Sequence, residues 1–158
     1  RKILGSTSPK FIASMVNSIS YKGFDFSIFL YASVGAMLNN NIEYLNKPGR
    51  ANSIVIDYWT PTNPTNAYPR PSVDNASPAY VKSLQYEKAD FIRVRNITLG
   101  YTLPEKLLKK IRARKIRVYL SANNPFIITG FSGIDPEGAR GYTVPSASTW
   151  MGGVNLSF

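Results

Sequence analysis

The chain has 158 residues, with 19 lysines and arginines against nine acidic residues and neither histidine nor cysteine. Losing histidine removes the usual general base, the Ser-His-Asp triad and imidazole metal ligation, and losing cysteine removes disulfides and thiolate sites. That leaves an enzyme only rarer carboxylate, lysine or tyrosine chemistry, which the carboxylate spacing does not support, so neither enzymatic activity nor a cofactor is expected. No apolar run of about eighteen residues offers a membrane-spanning helix.

The start, "RKILGSTSPKF", has no initiator Met and no apolar signal-peptide core, so it reads as the middle of a longer chain. Residues 11–21 then alternate, with Phe11, Ala13, Met15, Ile19 and Tyr21 on one face and serines on the other, although Val16 and Asn17 break the pattern. Lys22-Gly23 reads as a two-residue hairpin turn. Residues 24–36 form the second strand, with Phe24, Phe26, Ile28, Leu30, Ala32 and Val34 on its apolar face. A long loop, 37–90, follows. The third strand is 91–101, where the apolar parity shifts from Ile92 and Val94 to Ile97, Leu99 and Tyr101; a bulge near Arg95 would restore one face, and so would a strand whose upper end has left a membrane. A connector spans about 102–115. The fourth strand is 116–122, a second long loop is 123–148, and the fifth strand is 149–158.

Short and long connections alternate. In an up-and-down meander the short ones share one end of the sheet and the long ones the other, as in outer-membrane barrels, and strands of about ten residues suit a tilted bilayer span. A soluble β-sandwich binding module is the competing reading, with the apolar faces turned to a core. Five strands alone do not close a membrane barrel, whose smallest forms have about eight, and each open-edge polar group in lipid costs several kcal/mol. The membrane reading therefore requires the remainder of a barrel.

Charge is concentrated in the connector. Between 105 and 117, Lys106, Lys109, Lys110, Arg112, Arg114, Lys115 and Arg117 face Glu105 alone. A nucleic-acid groove reader spreads its cations over a face with aromatics interleaved, so no nucleic-acid partner is expected. The run reads as a solvated connector, with phosphate or lipid-headgroup contact as the alternative.

The blocks "YKGFDFSIFL", "DYWTPTNPTNAYPRPS", "ADFIRVRNITLGYTLPEKLLKKI", "IRVYLSANNPFIITGFSGIDPEG" and "GGVNLSF" resemble, in order and spacing, the C-terminal end of the SusC/RagA family of TonB-dependent outer-membrane transporters. The resemblance implies an all-β fold, the last five antiparallel strands of a plugged transmembrane barrel of about 22 strands. It also implies a bacterial outer-membrane location among outer-membrane lipids. Implied too are import of oligosaccharides or peptides with a SusD-like surface lipoprotein, and drive from TonB through a plug absent from these residues. A SusC-like barrel serving as a structural subunit of an envelope complex is equally compatible with the sequence.

Within that frame, Trp150, Val154, Leu156 and Phe158 match the terminal-strand signal read by the barrel assembly machinery. Tyr21, Phe24, Tyr101 and Trp150 are expected as interface aromatics. The short connections 22–23 and 102–115 would be periplasmic, and the loops 37–90 and 123–148 extracellular. Tyr58, Trp59 and Tyr68 in the first loop, and Asn123 and Asn124 at the outer end of the fourth strand, are candidates for substrate or lid contact, although a Pro-rich loop more often serves only to stiffen. Asp135 and Glu137 in "GIDPEG" read as a structural turn rather than a calcium site.

Overall fold

A computed structural model describes residues 3–40, 57–70, 81–109, 113–137 and 146–158. Its strands are β1 (Phe11–Tyr21), β2 (Phe24–Val34), β3 (Met37–Asn39), β4 (Tyr86–Lys88), β5 (Phe91–Thr102), β6 (Lys115–Thr129) and β7 (Thr149–Ser157). Two single-turn helices accompany them, α1 (Val81–Leu84) and α2 (Glu105–Leu108). The chain divides into two compact units, one of Phe11–Val34, Phe91–Thr129 and Ser146–Phe158, the other of Arg1–Lys10, Gly35–Asp90 and Gly130–Pro145.

The first unit is an antiparallel sheet in the order β1-β2-β5-β6-β7. Its hairpin closes at Lys22 and Gly23, with φ of 47° and 87°, the two left-handed residues that a type I′ turn requires. The register then carries one apolar parity across all five strands. One row runs Ile19, Phe26, Leu99, Leu120 and Gly152, and the next runs Tyr21, Phe24, Tyr101, Val118 and Val154. Asn17, opposite Ile28, is the polar exception on this face among the described strands. The irregular parity of β5 resolves at Arg95, which the pairing with β2 skips between Leu30/Val94 and Phe29/Asn96. One extra residue there turns Val94 and Ile92 back to the apolar side.

Several strand limits differ from those expected of the sequence. The second strand ends at Val34, not at residue 36, because Gly35 leaves it at φ 91°. The fourth runs to Thr129 rather than stopping at residue 122. Asn123-Asn124-Pro125 reads as a strand terminator, but the same irregularity between Val94 and Asn96 absorbs it: Asn124 takes φ 49°, and Pro125, which has no N–H to give the ladder, falls where no ladder bond is needed. The second long loop therefore begins at residue 130 and not at 123.

Among its described residues the second unit is built mainly from loops. β3 pairs with β4, and Gly35 N–H donates to Asp90 Oδ1 at 2.6 Å while Ala89 N–H donates to Ala36 O at 2.9 Å. Ala36, Leu38, Ala89 and Phe131 make its apolar core. The stretch 37–90 is thus not one open loop, since its described ends zip together. Its residues 41–56 and 71–80 lie outside the described part.

The sheet's apolar face meets no protein core. Leu120 is 51% exposed, Val154 57%, Trp150 60% and Ile128 73%. Burying a side chain of this kind is worth about 1.5–3 kcal/mol. On the order of twenty left in water would forfeit more than the ~5–15 kcal/mol by which a domain is stable. Nor does a soluble protein leave a patch of this extent bare. A sandwich would have covered the face with a second broad sheet, and the other sheet among the described residues is the two-stranded β3-β4 pair. The face is built for lipid.

Candidate functional site

The opposite face of the sheet carries the polar chemistry. Asn96 Nδ2 donates to Asn123 Oδ1 at 2.8 Å and to Ser121 Oγ at 3.1 Å, and the hydroxyls of Thr98 and Ser121 lie 2.8 Å apart. Ser18 donates to Ser27 at 3.3 Å between β1 and β2. Each bond links facing strands, so the network fixes the register from inside the wall. Asn123 therefore belongs to the middle of β6 and not to an outer loop. Asn124, in the bulge, accepts Ser148 Oγ at its carbonyl at 2.8 Å.

An ion pair crosses this face over three strands. Arg117 Nε donates to Asp25 Oδ1 at 2.9 Å and its Nη2 to Oδ2 at 2.5 Å, β6 reaching β2 over β5. The crossing is possible because Gly100 stands between them: a Cβ there would lie 2.5 Å from both groups. In the same row Tyr119 covers Gly153, where a Cβ would meet the ring at 2.6 Å, and the Arg117 guanidinium stands 5.2 Å from the Tyr119 ring centre. Two glycines, a bidentate pair and a tyrosine thus tile four strands. The basic run is reduced accordingly. Lys115 and Arg117 are strand residues, Arg117 is already neutralised, and Lys110 and Arg112 lie outside the described residues.

On the apolar face Tyr21, Phe24 and Tyr101 are in register at the short-turn end, the Phe24 and Tyr101 rings 4.5 Å apart. Trp150, Val154, Leu156 and Phe158 are all exposed, Phe158 at 77%. Phe11 and Phe126 are also exposed, toward the long-loop ends of β1 and β6. Sequence reading placed Phe11 on this face by parity, and did not place Phe126 because "NNPF" reads as loop.

In the second unit Tyr58 and Tyr68 form a backbone bridge, and Trp59 N–H donates to Tyr68 O at 2.9 Å. The closure is stapled by Asp57, which accepts Thr65 Oγ1 at 2.6 Å and Asn63 Nδ2 at 2.8 Å. Those bonds hold the Asp57 carboxyl below its ordinary value. Burial, helped by the Glu87 charge, pushes the Tyr68 phenol up. Glu87 accepts from Asn40 Nδ2 and from Ser132 Oγ at 2.8 Å, tying the 35–40 and 130–137 segments together. Asp135 accepts Glu137 N–H at 2.9 Å, an Asx turn. No cluster of acidic side chains able to hold a metal is found among the described residues.

No protein-family model matches the chain. It is 34% identical over 139 residues, 87% of its length, to TonB-dependent receptor P3 of Formosa agariphila, and 32% identical over 158 residues, 93% of its length, to TonB-dependent receptor SusC of Bacteroides thetaiotaomicron. These stretches are 14% and 15% of the two receptors. Its fold superposes on the RagAB peptide importer, with a TM-score of 0.76 at 26% identity in the open-open state and 0.78 at 25% in the closed-closed state, covering 99% of this chain and 18% of the solved one. The chain thus spans less than a fifth of the relatives it matches. A two-faced antiparallel meander with a bare apolar side, together with these likenesses, means that the chain belongs to the SusC/RagA family of TonB-dependent receptors, whose fold is a large outer-membrane β-barrel.

Proposed function

We propose that residues 1–158 form the C-terminal part of the barrel of an outer-membrane importer that takes up oligosaccharides or peptides with a SusD-like surface lipoprotein. TonB drives it through a plug outside this sequence. The observation that carries the reading is the sheet itself, one face apolar but for Asn17 and largely exposed, the other polar and hydrogen-bonded between strands. Such a wall separates lipid from a polar interior. The likeness to SusC and to a peptide importer supports transport across it.

The short turns at Lys22-Gly23 and 103–114 are periplasmic in this reading, and the long excursions after Val34 and Thr129 face outward. Tyr58, Trp59 and Tyr68 then offer aromatic faces to substrate or to the lipoprotein lid, while Asn123 and Asn124 line the barrel interior. Trp150, Val154, Leu156 and Phe158, exposed along one side of β7, are the surface that the barrel assembly machinery engages. The test uses the full-length receptor with its lipoprotein in cells. Deleting its TonB-interacting segment abolishes uptake if the barrel imports; unchanged uptake would assign it a scaffolding role instead.

A further inference from the structure

The sheet's short-turn end carries cations that transport does not explain. Lys22, Lys106, Lys109 and Arg114 are all exposed there, and none makes an ion pair with a described residue; Glu105 is the acidic neighbour. Their placement is fixed by the backbone. Thr102 N–H donates to Gly23 O at 2.8 Å, docking the Lys22-Gly23 turn on the end of β5. Leu103 N–H donates to Ile116 O at 2.9 Å and Arg114 N–H to Ser157 O at 2.8 Å, holding both roots of the connector to the same end. Between those roots α2 buries Leu108 and leaves Leu107 about half exposed beside Lys106 and Lys109.

Lys22 is the informative member. It occupies a left-handed position, φ 47°, where Asn, Asp or Gly meets less strain, so a long cationic side chain there needs another reason. Its ammonium stands 5.2 Å from the centre of the Tyr21 ring, and Tyr21, Phe24 and Tyr101 form the aromatic row in which the apolar face ends. Cations just beyond an aromatic row that closes a lipid-facing surface lie at headgroup depth.

We propose that Lys22, Lys106, Lys109 and Arg114 form a binding surface for anionic phospholipid headgroups of the periplasmic leaflet. The chemistry is ammonium and guanidinium to phosphodiester, with the acyl chains lying on the apolar face below Tyr21, Phe24 and Tyr101. It rests on the sidedness given under Proposed function, and the experiment separates the two.

Full-length receptor, delipidated in detergent, is titrated with phosphatidylglycerol and with phosphatidylcholine, and retained lipids are counted by native mass spectrometry. The wild-type protein retains phosphatidylglycerol in preference. Preference falls by up to about fivefold for each charge removed through K22Q, K106Q, K109Q and R114Q, with retention of phosphatidylcholine unchanged. In parallel, K22C is treated in intact cells with a membrane-impermeant maleimide. Protection from the reagent together with lost lipid preference supports the proposal. Protection with preference intact in the quadruple variant overturns the lipid surface and leaves the sidedness standing. Labelling from outside overturns the sidedness, and with it the proposal, since outer-leaflet lipopolysaccharide phosphates would then be what these cations meet.

Discussion

Arg117 reaches Asp25 by passing over a glycine. The guanidinium on β6 and the carboxylate on β2 are separated by the whole width of β5, and they meet, Nε to Oδ1 at 2.9 Å, because Gly100 leaves the space above β5 empty. The pair clamps three strands where hydrogen-bond ladders join only neighbours, and it turns two of the wall's charges upon each other. Gly100→Ala should therefore destabilise the barrel through a Cβ that displaces both partners, by about 1–3 kcal/mol as for other forced overpacking. The midpoint for heat-induced loss of the compact band on unboiled gels, measured on the full-length receptor, checks this; an unchanged midpoint would show that the pair yields freely.

The same pair predicts a sign for a double-mutant cycle. Removing one partner leaves the other charge uncompensated, so Asp25→Asn and Arg117→Gln should each lower stability. The double variant should be no worse than the poorer single. Denaturant midpoints of the four proteins give the answer, and additive losses would mean that the two side chains act independently.

Val154 and Asn155 are consecutive, both exposed, and on opposite faces of β7. In a soluble edge strand a lysine at either position would cost little. In a barrel wall Val154→Lys places the charge in lipid, at up to about 2–4 kcal/mol near the midplane, while Asn155→Lys turns toward the polar interior. Outer-membrane levels of the full-length receptor should fall for Val154→Lys and hold for Asn155→Lys; equal levels would contradict the assignment of faces.

Much of this wall was legible because a β-strand's period of two writes its two environments directly into the chain. Hence the hairpin, the apolar parity of Ile97, Leu99 and Tyr101, and β7 all follow from alternation alone. The second half of β6 did not follow. Asn124 and Pro125 signal termination locally, and only the matching irregularity at Arg95 on the neighbouring strand absorbs them, a tertiary fact with no local trace. The Arg117–Asp25 clamp was hidden for the same reason, since its partners are 92 positions apart in sequence. Charge counting folded Arg117 into a basic run to which it contributes no free charge.

Lys22 makes a prediction in which stability and binding move in opposite directions. Asn is better suited than Lys to the left-handed region, so Lys22→Asn should stabilise the hairpin, by up to about 1 kcal/mol. Gly23→Ala should weaken it, because Gly23 has φ 87° and a Cβ there would fall 2.8 Å from the Thr102 carbonyl oxygen. Thermal midpoints of the full-length receptor should rise for the first variant and fall for the second. A lower midpoint for Lys22→Asn would mean that the Tyr21 contact outweighs the backbone strain.

Asp57 gives the aromatic loop a defined acid limit. Hydrogen bonds from Thr65 and Asn63 favour the ionised carboxylate, so its value in the folded loop lies below the ordinary 3.8. A group depressed in this way contributes stability above its unfolded value and loses it as pH falls through the folded one. The closure of residues 57–68 should thus be insensitive to pH from neutrality down to about 5 and should loosen only in stronger acid. Amide hydrogen exchange at Trp59 and Asn63, whose N–H groups donate to Tyr68 O and Thr60 O, reports it, after correction for intrinsic rates. Asp57→Ala should exchange faster at neutral pH and lose the acid transition; a transition that persisted in this variant would place the titrating group elsewhere.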